Sequence, residues 1–421
     1  MEKVITVTVK LKDALNDWSL DSLSEELKLL TRTVNGEIVG EIKCNRHYPT
    51  PSLYLGTGKI EELSVLAKQV KAQTVVFNND LSPIQQKNIE DAIGCKTIDR
   101  TQLILDIFAR HAKTQEGKIQ VELAQLQYLL PRLMGKGIAL SRLGGGIGTR
   151  GPGEQKLEID RRRIRKRIDS LKKDIKALEI RRLHLRKRRT ENALSTIALV
   201  GYTNAGKSTL LNALSSAHVK AKNEMFSTLD PLTKRVTLPT NNLKVLISDT
   251  VGFLNKLPHH LIDAFKATLE EIRQADMLIV VLDVSSELIV QHHDAIWQVL
   301  IELEAQDKPI IYALNKIDNF EEGDDQAEGN RIIERFKRNF SNSAAISAKC
   351  KKNIPQLIET VEQNLINTAT LVKVFLKYDK ISLINTLHEQ GKVMQCEYRS
   401  DGVYIEAKLP VLIAKKVLTK I

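Results

Sequence analysis

The chain is poor in cysteine and in long apolar runs, and both shortages narrow what it can be. Its four cysteines, Cys44, Cys95, Cys350 and Cys396, lie far apart with no C-x-x-C pair, so they supply neither a metal knuckle nor a disulfide scaffold. A reducing compartment is the expectation. No apolar stretch approaches the ~18 residues of a membrane-spanning helix, and Met1–Thr8 alternates like a strand rather than forming a signal-peptide core. The expected location is therefore cytoplasmic, with no membrane span. Negative charge is the third scarcity. Lys and Arg number 63 against 51 Asp and Glu, a net charge of +12, and the deficit is local: Lys156–Arg189 alone holds 16 basic and 5 acidic residues. At 421 residues the chain has room for two to four domains, each with its own core.

What is present is a series of short motifs, each closing an apolar run. Thr196–Val200 leads into Gly201-Tyr202-Thr203-Asn204-Ala205-Gly206-Lys207-Ser208, and Thr209 continues into a helix-like Leu210–Leu214. This is strand, glycine-rich turn and helix at the G-x-x-x-x-G-K-S spacing of a phosphate-binding loop. Its glycines let successive N–H groups point inward, Lys207 reaches β- and γ-phosphates, and the Ser208 hydroxyl holds Mg²⁺. Downstream stand Asp249-Thr250-Val251-Gly252, Asn315-Lys316-Ile317-Asp318 and Ser347-Ala348-Lys349. In an open α/β sheet ligands bind beyond the carboxyl ends of the strands, so the four motifs converge on one nucleotide.

Each motif has a chemical task in that reading. Asp249 reaches Mg²⁺ through water, and the Gly252 N–H meets the γ-phosphate. Asp318 selects the base, because a carboxylate taking two hydrogen bonds fits guanine N1–H and N2–H₂, whereas adenine has no N1 proton. The expected ligands are GTP and its product GDP. Lys316 and Asn315 cover the base and brace the loop, and the Ala348 N–H meets guanine O6. Lys207 and Gly252 are candidate catalytic groups. The segment Asn223–Thr233 is polar and turn-rich, the place for a switch whose threonine joins Mg²⁺ and the γ-phosphate, with Thr228 and Thr233 both candidates on position alone.

Four regions follow. Residues 1–100 read as a small α/β domain of βα units, with Ser82-Pro83 opening a helix that Gly94 closes. Gly56-Thr57-Gly58-Lys59 reads as a glycine turn entering a helix or as a second place to receive a phosphate. Residues 101–192 read as an antiparallel helical hairpin with two apolar seams and a glycine-rich tip, Leu143–Glu154, that carries Arg150. The second helix sets Arg161, Arg162, Arg163, Arg165, Lys166, Arg167 and Arg186-Lys187-Arg188-Arg189 off its seam, and the basic stretch Lys156–Arg189 extends over roughly 50 Å at 1.5 Å per residue. A one-signed face of this length points to a phosphate backbone, RNA ahead of DNA. Residues 193–368 form the nucleotide domain, a mostly parallel sheet with helices on both faces. Residues 369–421 suggest a small βαββα module.

The sequence resembles the HflX family of translational GTPases along almost its whole length. The marks are Leu55–Lys59, Ile98-Asp99-Arg100-Thr101, Glu122–Leu126, Gly144–Glu154, Phe226-Ser227-Thr228-Leu229-Asp230-Pro231 and Asp249–Phe253. The resemblance implies that Thr228 is the switch threonine, that Ser208 and Thr228 ligate Mg²⁺, and that Phe226–Asp230 join the GTP site. It further implies binding to the large ribosomal subunit and its RNA, with splitting or rescue of stalled ribosomes. Two other readings compete: a non-catalytic RNA-binding module with a structural nucleotide domain, and an assembly GTPase acting on precursor particles. The chain is read as a monomer. Two residues add detail. Phe253 stands where many GTPases carry a water-orienting glutamine. Asn204 reads as a turn residue or as the donor of a side-chain oxygen to a K⁺ ion between the β- and γ-phosphates.

Overall fold

The computed structural model describes residues 1–12, 18–141, 152–191, 194–215, 232–239, 243–255, 266–320, 325–340, 342–367, 370–378 and 391–409, with isolated positions 384, 387, 414 and 418. They divide into two compact units, one on Met1–Leu178 and one from Glu179 onward.

The first unit opens with β1 (Glu2–Leu11), α1 (Leu20–Thr33), β2 (Gly36–Arg46), α2 (Thr57–Val70), β3 (Thr74–Phe77), α3 (Pro83–Ile93) and β4 (Lys96–Ile98). The strands form a parallel sheet in the order β2-β1-β3-β4. The alternation of Val and Thr in β1 looks like a half-wet strand, yet Thr6 and Thr8 are as buried as Val7. The cause is topology: parallel strands joined by crossover helices are covered on both faces. Helix α3 has a capping box, with Gln85 N donating to Ser82 Oγ at 3.2 Å and Ser82 N to Gln85 Oε1 at 3.0 Å, and Gly94 closes it at φ 78°. Gly56 is the N-cap of α2, and the Lys59 ammonium pairs with Glu62 at 2.6 Å.

Next come α4 (Arg100–His111), α5 (Gln115–Ser141) and α6 (Pro152–Glu191). The apolar spacing from Leu105 through Leu133 reads as one helix, but the chain turns extended at Ala112 and Thr114 caps a new start through Gly117 N at 3.0 Å. Helix α4 is thus a separate element, packed on α5 and also on α1 and β3. Along the hairpin, Leu123, Ile168 and Leu171 form a buried seam flanked by Ile119, Leu126, Leu130, Ile164 and Ile175. Its root is held by Asp99, which accepts hydrogen bonds from Gln102 N, the Tyr128 hydroxyl and the Arg132 guanidinium, each at 2.8 Å. Residues 143–151 of the glycine-rich tip, Arg150 among them, lie outside the described residues, and Pro152–Glu154 open α6.

The second unit carries β5 (Ser195–Gly201), α7 (Lys207–Leu214), β6 (Leu232–Thr237), β7 (Lys244–Asp249), α8 (Lys266–Gln274), β8 (Met277–Asp283), α9 (Ile289–Glu302), β9 (Ile310–Asn315), α10 (Asp325–Asn339), β10 (Ser343–Ala345) and α11 (Ile354–Asn367). Their sheet runs β10-β9-β8-β5-β7-β6, parallel except for β6. A separate antiparallel sheet, order β11-β13-β12, follows from β11 (Thr370–Lys377), β12 (Lys392–Arg399) and β13 (Gly402–Leu409). The helices expected at 381–389 and 411–418 fall almost wholly outside the described residues. No described helix is long and apolar enough to cross a membrane.

Candidate nucleotide site

The site is built where β5, β7, β9 and β10 end. After β5 the chain turns through two left-handed positions, Asn204 at φ 62° and Gly206 at φ 99°. Gly206 needs its missing side chain twice over, since a Cβ there would lie 2.2 Å from Asn315 Nδ2. Asn315 itself ties three loops together. Its Nδ2 donates to Ala205 O at 2.8 Å, and its Oδ1 accepts from Ala348 N at 2.9 Å. The N–H that the sequence aims at guanine O6 is thus engaged by Asn315 here.

Lys207 is 6% exposed, with Nζ donating to the carbonyls of Gly201 and Tyr202, both at 3.0 Å. Burial brings its pKa down to about 8, against the pull of Asp249. The Ser208 hydroxyl donates to Asp249 Oδ2 at 2.6 Å. That pair of hard oxygen donors suits Mg²⁺, which keeps several waters and takes only one or two protein carboxylates beside phosphate oxygens. Among the described residues no cluster of three or more His, Cys, Asp or Glu offers a competing metal cage.

Beyond Asp249 the chain is laced to the phosphate loop. Phe253 N donates to Gly201 O at 3.0 Å and Thr203 N to Phe253 O at 2.9 Å, while the Phe253 ring is 0% exposed. Thr250 Oγ1 donates to Leu199 O at 2.6 Å and Val251 is buried. Gly252 lies flush against the loop, where a Cβ would come within 2.8 Å of Thr203 Cγ2 and 3.2 Å of Lys207 Nζ. Asn204 is exposed, and Thr209 is half-buried in the first turn of α7.

At the third loop, Asp318 Oδ1 is buried and finds no hydrogen-bond partner among the described residues. An anionic oxygen so placed is costly unless a donor arrives. Ile317 N donates to Ile346 O at 3.3 Å, joining this loop to the fourth. There Ser347 is buried, with Oγ accepting from Cys350 N at 3.0 Å, and Lys349 is exposed.

One participant was not read from the sequence. Asp283, at the end of β8, holds the Lys316 ammonium at 2.7 Å and accepts from Ser285 N at 3.0 Å. Its signal was available, a carboxylate closing the apolar run Met277–Leu282. Tyr202 receives the Asn255 N–H on its hydroxyl at 2.8 Å and stacks on His292 at 3.9 Å between ring centroids. Of the two threonines weighed for the switch, Thr233 lies in β6 with Oγ1 2.8 Å from Ser248 Oγ. Thr228, together with Phe226, Ser227, Leu229 and Asp230, lies outside the described residues.

On α6, Arg162, Arg163, Arg165, Lys166 and Arg167 are exposed and Arg161 is half-buried. Arg167 also forks onto Glu122 of α5, at 2.7 and 2.8 Å.

A mostly parallel sheet with one antiparallel edge, whose phosphate loop opens the helix after its central strand, places this domain among the P-loop GTPases. Comparison with known proteins narrows the class. Residues 21–109 match a family described as GTP-binding GTPase N-terminal, 111–189 its middle region, and 196–316 a family described as 50S ribosome-binding GTPase. The chain is 42% identical over 392 residues to the GTPase HflX of Caldanaerobacter subterraneus subsp. tengcongensis, covering 93% of this chain and 88% of that protein. It is 41% identical over 389 residues to the GTPase HflX of Escherichia coli K12, covering 92% and 90%. A solved GTP-binding protein of Sulfolobus solfataricus in complex with GDP is similar at 24% identity and TM-score 0.44, over 86% of this chain and 98% of that one. The chain belongs to the HflX family of GTPases.

Proposed function

We propose that this GTPase is a switch that binds the large (50S) ribosomal subunit through the basic face of α6 and splits or rescues stalled ribosomes. The observation that carries the partner is the run of exposed cations from Arg162 to Arg167, of which Arg167 is held by Glu122 and Arg163 stands only 3.8 Å from Asp160. A phosphate backbone supplies countercharge to Arg162, Arg165 and Lys166, which have no ion pair among the described residues. One matched family is also described as a 50S ribosome-binding GTPase.

In this reading GTP supplies the donors that Asp318 Oδ1 lacks, through guanine N1–H and N2–H₂. Lys207 turns from the Gly201 and Tyr202 carbonyls to the β- and γ-phosphates, which the N–H groups of residues 201–209 cradle. Ser208 and Thr228 would hold Mg²⁺ beside Asp249, which accepts from the Ser208 hydroxyl, and the ion would supply neutralising charge to the phosphates. Gly252 donates to the γ-phosphate, and the segment Phe226–Asp230 orders around it only in the triphosphate state. Asn204 contributes its exposed oxygen to K⁺.

Hydrolysis in this account waits for the subunit. Phe253 has no hydrogen-bonding side-chain group, and its backbone N–H and C=O are already taken by Gly201 and Thr203. Phe253 therefore offers no group to orient the attacking water. Turnover by purified protein should be slow and should rise when large subunits are added, whereas fast turnover indifferent to subunits would refute the proposal.

A further inference from the structure

The antiparallel sheet of β11, β13 and β12 has two faces of different chemistry. One is a core: Val372, Val374 and Leu376 of β11 pack with Val403, Ile405, Ala407 and Leu409 of β13, joined by Ile384, Leu387 and Ala414. The opposite face is open. On it Phe375 is 37% and Leu371 47% exposed, and the Lys373 side chain 56%.

The open face centres on an aromatic pair. Strand register sets Phe375 directly across from Tyr404. The Phe375 ring lies over Gly402, where a Cβ would approach its Cζ to 2.8 Å, and the Arg399 guanidinium sits 5.3 Å from the Tyr404 ring centroid. Glu406, a carboxylate at the centre of the face, is occupied: it accepts from Lys373 Nζ at 2.8 Å and from the Tyr404 hydroxyl at 2.6 Å. Glu397 of β12, across from Tyr404, is likewise held, by the Arg399 guanidinium at 2.9 Å, and the remaining lysines have no acid across the strand. Lys377 faces Gly402, and Lys408 lies between Leu371 and Lys392.

We propose that this face binds single-stranded RNA, with successive bases stacking on Phe375 and Tyr404 and the backbone phosphates meeting Lys377, Lys392 and Lys408. Paired aromatics on neighbouring strands are how RNA-recognition sheets take unstacked bases, and every base has a π-face to offer. Charge decides against an apolar protein surface, which would bury three lysines without countercharge; phosphates bring it. The choice of RNA over DNA rests on the ribosomal reading above, while the stacking does not.

The test uses the full chain and a fluorescein-labelled oligouridine of ~8 nucleotides, with binding read by anisotropy. Phe375→Ala and Tyr404→Ala should each weaken binding about tenfold, with GTP affinity, hydrolysis and thermal midpoint unchanged. Phe375→Trp should retain affinity, and its emission, after subtraction of Trp18 and Trp297 in the parent, should be quenched by the oligomer. That quench should persist when Arg161, Arg162, Arg163, Arg165 and Arg167 are all replaced by glutamine, which separates this face from the hairpin. Equal quenching by oligothymidine, in a protein that fails to sediment with ribosomal subunits, would uphold the stacking face while removing the ribosomal reading. Alanine variants that bind like the parent, an unquenched tryptophan, or a parent dimer that Phe375→Ala dissolves would each overturn the proposal.

Discussion

Lys207 holds its ammonium group buried on two carbonyl oxygens, and burial has brought its pKa from 10.5 to about 8. Phosphates delivered to that ammonium restore the charged form, so nucleotide binding should take up a proton wherever the free site has begun to lose one. With a free value of about 8 and a bound ammonium that stays charged, uptake should be about half a proton at pH 8. GDP affinity should then fall about fourfold between pH 7 and pH 8.5, a window below the deprotonation of guanine N1. Calorimetric titration of GDP in two buffers of different ionisation enthalpy reads the uptake directly. Lys207→Gln should bind more weakly and without the slope. An affinity flat across this window, with enthalpies independent of buffer, would refute the reasoning. The sign for the unliganded protein follows from the same shift. Between pH 8 and 10.5 the unfolded chain holds a proton that the native site has shed, so stability rises with pH there, by ~3 kcal/mol at most.

Asp318→Asn should cost about 2 kcal/mol of GTP affinity, because an amide replaces the buried acceptor Oδ1, and xanthosine triphosphate should recover much of it. Unchanged GTP binding would mean that the base lies elsewhere. Hydrolysis, more than nucleotide binding, should run faster in K⁺ than in Na⁺ at equal ionic strength, and Asn204→Ala should abolish the difference. Equal rates in both salts would leave Asn204, at φ 62°, as a turn residue only.

The motifs were legible because each is local. A phosphate loop, an N-cap serine with a glutamine three residues on, or a glycine past a helix end expresses its geometry within a few residues, and the Ser82–Gly94 helix reads straight from the chain. What the sequence withheld was set at a distance. Nothing near Thr6 says that both faces of β1 are covered. The spacing of Leu105, Phe108 and Ala112 fits the hairpin as well as it fits α4, and only the break at Ala112 assigns them to the first sheet. Asn315 shows the same limit within the site. Its motif predicts a brace, but not that its Oδ1 engages the Ala348 N–H, a contact 33 residues away. Likewise Asp283 closes an apolar run as Asp249 does, and only the fold shows it holding Lys316.

Co-sedimentation tests most directly whether the protein grips the large ribosomal subunit through α6 in a GTP-dependent way. Protein with a non-hydrolysable GTP analogue should pellet with mature large subunits, and with GDP it should stay largely in the supernatant. Replacing Arg161, Arg162, Arg163, Arg165 and Arg167 by glutamine should flatten the salt dependence of pelleting without altering GTP affinity. Pelleting that ignores the nucleotide, a salt slope that ignores the five substitutions, or a preference for precursor particles over mature subunits would contradict the account.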